Sequence, residues 1–142
     1  MSKKPTFRTW DDYFIPGTSV LRNKLSRPGH PYGEPNPAAL EQLESSLTSF
    51  RLSQLAANPI QGSFDYAHLK ALHSYIFQDV YDWAGEERVA PVDRFMTKNG
   101  YAYYPAGPEL RRAVERQFRL LAEKDALRGL TGDTFVTELA EI

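Results

Sequence analysis

The sequence predicts an all-α domain carrying one small β-hairpin. Three observations lead to this. Apolar residues recur at helical spacing in four separate stretches. Residues that start or stop helices bracket those stretches. One dipeptide, Asn99-Gly100, is the strongest two-residue hairpin signal in the chain, because both residues tolerate positive φ.

Asn36-Pro37 opens the first helix: asparagine caps, and proline suits the first helical position. Leu40, Leu43, Leu47, Phe50 or Arg51, then Gln54 or Leu55 follow the period, and Asn58-Pro59 closes it. A second helix starts at Ser63 or Asp65 and runs to about Trp83. Its stripe is Leu69, Leu72, Ile76 and Val80, with Tyr66, His73, Phe77 and Tyr81 alongside. Ala84-Gly85 ends it, glycine being the usual residue at a left-handed helix terminus. Residues 94–98 and 101–104 flank the hairpin turn and have fair β propensity. A lone hairpin is marginal, so this one must lean on the helices or on a bound partner. Gly107-Pro108 precedes a third helix, roughly residues 109–128, with Leu110, Val114, Gln117 or Phe118, and Leu121 inward and Gly129 as its cap. Asp133 is expected to cap a fourth helix with Phe135, Leu139 and Ile142 on one face. It has no stop signal, and short helices are marginal alone. Periodicity reads it equally as a helix cut in mid-stripe or as a short terminal helix docked on the core.

At 142 residues there is room for one domain. The apolar fraction of 42% argues against disorder. Residues 1–35 form a Pro-, Gly- and charge-rich arm with turns at Ile15-Pro-Gly-Thr18 and after Arg27. Trp10, Tyr13, Phe14, Val20, Leu21 and Leu25 imply that the arm packs on the domain of residues 36–142. Seventeen basic and 18 acidic residues nearly cancel, so no nucleic-acid surface is expected. The local positive charge between Lys3 and Arg27 reads as a solvated arm. The absence of cysteine excludes disulfides, thiolate metal sites and a cysteine nucleophile, and is compatible with a cytoplasmic location. No apolar run follows Lys3-Lys4 as a secretory signal would require. None approaches the roughly 20 residues of a membrane span.

Chemistry-bearing residues are sparse. A general base needs an oriented partner within hydrogen-bond reach. Of the three histidines, His30 lies in a Pro-rich loop, His68 reads as surface and His73 as structural. Asp11-Asp12, Glu86-Glu87 and the Asp79/Asp82 pair read as solvated carboxylates. Neither a G-x-x-x-x-G-K-[ST] loop nor an H-E-x-x-H pair occurs. Tyr101, Tyr103 and Tyr104 fit cross-strand packing better than base stacking.

Residues 69–88, L-K-A-L-H-S-Y-I-F-Q-D-V-Y-D-W-A-G-E-E-R, resemble a segment of the Fic family written L-x-x-[IL]-H-x-x-[IL]-F-x-x-[VI]-Y-x-W-A-G-x-x-R. Asp12-Tyr-Phe-Ile-Pro-Gly-Thr-Ser-Val-Leu-Arg-Asn-Lys-Leu25 is similar to the D-x-Y-x-x-P-G-T-x-V-L-x-N-K-L opening of bacterial members. Residues 121–130 and Phe135 resemble the run into the active-site helix. The resemblance implies a Fic-type helical bundle with a hairpin flap. It also implies transfer of AMP from ATP to a Ser, Thr or Tyr hydroxyl of a target protein, with Mg2+ as cofactor. The family's catalytic H-P-F-x-x-G-N-G-R does not occur in residues 1–142. Alignment puts its histidine about eight residues beyond Ile142. The expectation is therefore a domain truncated in its fourth main helix, with no catalytic residue of its own and inactive alone.

On the flap, the resemblance puts Arg94 near the nucleotide. It makes Phe95, Asn99, Gly100, Tyr101 and Tyr103 candidates for docking the target, which would add as a strand. The flap departs from the common pattern in its length and its Asn99-Gly100 tip. The expected partners are the target protein and a small antitoxin, with no nucleic acid and no membrane. The location is cytoplasmic, with delivery into another cell. The alternative is a non-catalytic module that binds proteins by strand addition to the flap.

Overall fold

The computed structural model describes residues 5–89, 97–98 and 100–142. Four α-helices occur among them: α1 Pro37–Ala57, α2 Tyr66–Phe77, α3 Pro108–Glu123 and α4 Gly132–Ala140. Between α2 and α3 lie the two short strands β1 Thr97–Lys98 and β2 Tyr101–Ala102. One-turn 3-10 helices occur at Trp10–Tyr13 and Asp125–Leu127. The all-α reading holds, with the hairpin as its only described sheet.

Helix α1 begins as the sequence implies: Asn36 accepts the Ala39 N–H at 3.0 Å, and Pro37 takes the first turn. Of the alternatives at its middle, Arg51 faces inward and Phe50 is exposed. Arg51 makes a two-pronged bond to Asp79, Nε to Oδ2 at 2.7 Å and Nη2 to Oδ1 at 2.8 Å. Gln54 Oε1 accepts from both Arg51 and the Tyr75 hydroxyl. A polar clamp thus joins the far halves of α1 and α2. Nearer the core, the Tyr81 hydroxyl donates to Glu44 at 2.5 Å, and burial beside that carboxylate raises the phenol's pKa.

Helix α2 is capped by Asp65, which accepts the His68 N–H at 2.9 Å. It ends at Phe77, well short of the expected Trp83. The arm is the cause. Lys24 donates its N–H to the Val80 carbonyl at 2.7 Å and its ammonium to the Gln78 carbonyl at 2.8 Å. Those two bonds hold the chain just beyond Phe77 against the arm, and Val80, Tyr81 and Trp83 are buried there.

The core forms where arm, α1 and the end of α2 meet. Tyr13, Leu40, Val80, Tyr81 and Trp83 are buried there together. Trp83 stacks on Tyr81 with centroids 4.6 Å apart and meets Tyr13 edge-on at 6.4 Å. Phe7 stacks on Tyr13 at 4.7 Å. The arm is held in shape by the buried Asn23. Its amide donates to the Leu21 and Glu34 carbonyls, and its oxygen accepts the Leu25 and Glu34 N–H groups.

Helix α3 follows the predicted stripe with Phe118, not Gln117, turned inward, but stops at Glu123. Asp125, Ala126 and Leu127 then take φ of 50°, 52° and 58°. Left-handed backbone costs roughly 1–2 kcal/mol per non-glycine residue, so tertiary contacts must hold this turn. Leu127 is buried at 4% exposure, and Lys124 pairs with Glu138 on α4. Thr131, not Asp133, is the N-cap residue of α4. Asp133 instead lies in the first turn, where a negative charge suits the helix dipole. Phe135, Val136 and Leu139 on α4 are exposed.

Two outcomes follow. Asn23→Ala strands two buried N–H and two carbonyl groups and should cost about 3 kcal/mol, read from the urea midpoint. The Arg51 hydrogen bond holds the Asp79 pKa below its usual value of 3.8. A depressed carboxylate contributes stability above its unfolded pKa and loses it as pH falls through the folded one. The stability gap between the native chain and Asp79→Asn should therefore stay flat above about pH 4 and close below it. A gap independent of pH would contradict this.

Candidate functional site

The hairpin pairs Thr97 with Ala102 and Lys98 with Tyr101, antiparallel, leaving a two-residue loop at 99–100. Gly100 has φ of +81°, as the predicted turn requires. Arg94, Phe95 and Asn99 lie outside the described residues. Tyr101 is 73% exposed, and Tyr103 and Tyr104 are half exposed. Tyr101 therefore presents most of its surface to solvent, and Tyr103 and Tyr104 about half of theirs. A surface patch of tyrosines is suited to gripping another chain, because each ring offers contact area at low entropic cost.

The two ends of the segment that carries the hairpin are joined. Ala106 donates its N–H to the Arg88 carbonyl at 2.7 Å. The Glu87 carboxylate accepts the Gly107 N–H at 3.3 Å and Arg111 Nε at 3.5 Å, and the Tyr66 hydroxyl also favours its charged form. Burial works against ionisation there, but these donors together hold the carboxyl below its usual range. The arm reaches the same place: Val89 donates its N–H to the Tyr13 hydroxyl at 3.2 Å. The Arg88 guanidinium lies 4.7 Å above the Trp83 ring.

The turn that leads to the hairpin depends on Gly85. Its φ is +80°, and an added Cβ would sit 2.8 Å from Ser74 Cβ and 2.9 Å from the Lys70 carbonyl. Only glycine lets this turn lie so close to α2. The Gly85 N–H donates to His73 Nδ1 at 2.8 Å. Burial, with help from the Arg88 charge, lowers the pKa of His73. The ring is therefore neutral near pH 7, with its Nδ1 lone pair already engaged, and its role is structural, as the sequence implied. His68, read as surface, is partly exposed but engaged at both ring nitrogens: Nδ1 accepts the Phe64 N–H at 3.2 Å and Nε2 donates to the Ile60 carbonyl at 2.9 Å. It ties the loop before α2 to that helix. His30 closes its turn through its backbone, donating to the Arg27 carbonyl at 2.8 Å.

Among the carboxylates read as solvated, Asp12 accepts the Arg8 and Thr9 N–H groups, Asp79 pairs with Arg51, and Glu87 is engaged at the hairpin base. Sequence spacing had no signal for the last two, because the partners lie 28 and 20 or more residues away. Among the described residues no three His, Asp or Glu side chains converge as metal ligands. Those residues therefore do not by themselves fit a magnesium-bound triphosphate, and no step is routed through one.

No family model matches the chain. Its similarity to individual proteins is clear. Protein adenylyltransferase VbhT of Bartonella schoenbuchensis is 34% identical over 125 residues, covering 88% of this chain and 24% of that protein. A probable protein adenylyltransferase, y4lH of Sinorhizobium fredii, is 33% identical over 118 residues, covering 82% of this chain and 53% of that one. The chain thus spans about a quarter to a half of these relatives. Among solved structures, the N-terminal Fic domain of a putative cell filamentation protein from Bartonella quintana, with bound ADP, matches 91% of this chain and 62% of its own. Its TM-score is 0.69 at 26% identity. The helical fold, the order of the motifs and these relatives agree, and the chain belongs to the Fic family.

Proposed function

We propose that the chain is the target-docking part of a protein adenylyltransferase. The reaction joins a Ser, Thr or Tyr oxygen of a target protein to the α-phosphate of ATP. Pyrophosphate leaves, and a general base takes the hydroxyl proton. The family resemblance assigns that base, the phosphate cradle and the Mg2+ ligand to H-P-F-x-x-G-N-G-R, which residues 1–142 do not contain. Their share is to hold the target hydroxyl in place, which by itself lowers the barrier by removing translational and rotational freedom.

The single observation behind this reading is the exposed hairpin on a fixed footing, with Tyr101 and Tyr103 facing solvent. A target segment adds alongside it through main-chain hydrogen bonds, which need an extended backbone but no particular sequence. The family resemblance supports Phe95, Asn99, Gly100, Tyr101 and Tyr103 as the residues that dock the target and Arg94 as the one that serves the nucleotide. The names of the relatives support the AMP-transfer reading, and ADP in the Bartonella quintana domain supports ATP as donor. That protein is a VirB-translocated effector, which supports delivery of this one into another cell. A small antitoxin would restrain it until then. Among the described residues no helix is long and apolar enough to cross a membrane.

The test is labelling by ATP carrying its label on the α-phosphate, with and without Mg2+. The protein expressed from its whole reading frame should label lysate proteins in a magnesium-dependent way. Residues 1–142 alone should not. Labelling by the isolated chain, or transfer of the γ-phosphate instead, would overturn the proposal. So would silence from the whole reading frame.

A further inference from the structure

Glu87 occupies an unusual position for a carboxylate that belongs to no helix. Its side chain is 12% exposed. It lies one residue before Arg88, whose carbonyl receives the Ala106 N–H. Its own oxygens reach Gly107 and Arg111, and the Tyr66 hydroxyl at the start of α2 favours its charged form. Gly107 is the N-cap residue of α3 and has no side chain with which to cap it. The first N–H groups of a helix lack internal partners, and the helix dipole concentrates positive charge there. Glu87 supplies the missing acceptor and a negative charge from a distant segment.

We propose that Glu87 is the positioning residue of the hairpin: it fixes the point where the hairpin hands over to α3. On the reading of the hairpin as a docking surface, this sets where a bound target strand stands relative to the helices. Two neighbouring N–H groups, Ala106 and Gly107, are held by two neighbouring residues, Arg88 and Glu87. The first bond is backbone to backbone and survives any substitution at residue 87. The second belongs to the side chain alone. With it gone, the described bonds between residues 106–107 and residues 87–88 fall to the one from Ala106 to Arg88, and the join with α3 loosens. Arg111 adds charge to the same carboxylate but is itself exposed, so it supports the clamp without being the clamp.

The experiment is amide hydrogen exchange on the whole protein and its variants at neutral pH. In Glu87→Ala the Gly107 amide should exchange roughly tenfold to a hundredfold faster, the loss expected of a hydrogen bond to a charged acceptor. Ala106 and the Tyr101 and Ala102 amides should follow to a smaller extent, while amides in α1 and in the middle of α2 keep their rates. Glu87→Gln keeps an oxygen that can accept the Gly107 N–H and should restore most of the protection. Arg111→Ala should have the smaller effect of the two contacts. Unchanged exchange at Gly107 in Glu87→Ala would overturn the proposal. So would acceleration spread evenly over α1 and α2, which marks general destabilisation, or failure of glutamine to restore protection. Because the readout is exchange and not AMP transfer, the clamp and the enzymatic reading fail separately.

Discussion

Lys24 holds the end of α2 through two hydrogen bonds, one from its N–H to Val80 and one from its ammonium to Gln78, and much of the molecule depends on them. Both carbonyls lie just past the end of α2 at Phe77. An arm from outside the helix bundle supplies their donors. The consequence is topological as well as energetic. The arm holds the chain where it leaves the helix and where Val80, Tyr81 and Trp83 are buried.

From that point the constraints run outward in order. Trp83 is packed by Tyr81 and Tyr13 and carries the Arg88 guanidinium on its face. The Tyr13 hydroxyl then takes the Val89 N–H, and the Arg88 carbonyl takes that of Ala106. The aromatic core and the base of the hairpin are therefore one continuous structure. A hairpin whose two strands are each two residues long could not stand alone. It stands because its base is bonded to residues that the core already holds. The exposed tyrosines are then free for recognition, since the fold does not need their burial.

The helices were legible from local signals. Asn36-Pro37 and the Leu40 and Leu47 positions predicted α1 to within a residue, because capping and periodicity are properties of neighbouring residues. Asn99-Gly100 gave the hairpin register for the same reason. What was not legible depends on partners remote in sequence. The early end of α2 depends on Lys24, the inward turn of Arg51 on Asp79, and the burial of Glu87 on Gly107 and Arg111. The left-handed turn at 125–127 runs against the local preference of Ala and Leu, and the packing of Leu127 and the pairing of Lys124 hold it. At the site, motif order identified the family, while the residue that anchors the hairpin base had no signature that a pattern could carry.

The central claim is that the arm, the 78–89 turn and the helices form one cooperative unit. Native-state hydrogen exchange tests it at two loop amides, Lys24, bonded to Val80, and Gly85, bonded to His73. If the claim holds, both exchange within about tenfold of the slowest α1 amides, because they open only when the whole domain opens. Exchange more than about a hundredfold faster than α1 would mean that the arm and the turn open separately from the helices, which contradicts a single cooperative unit.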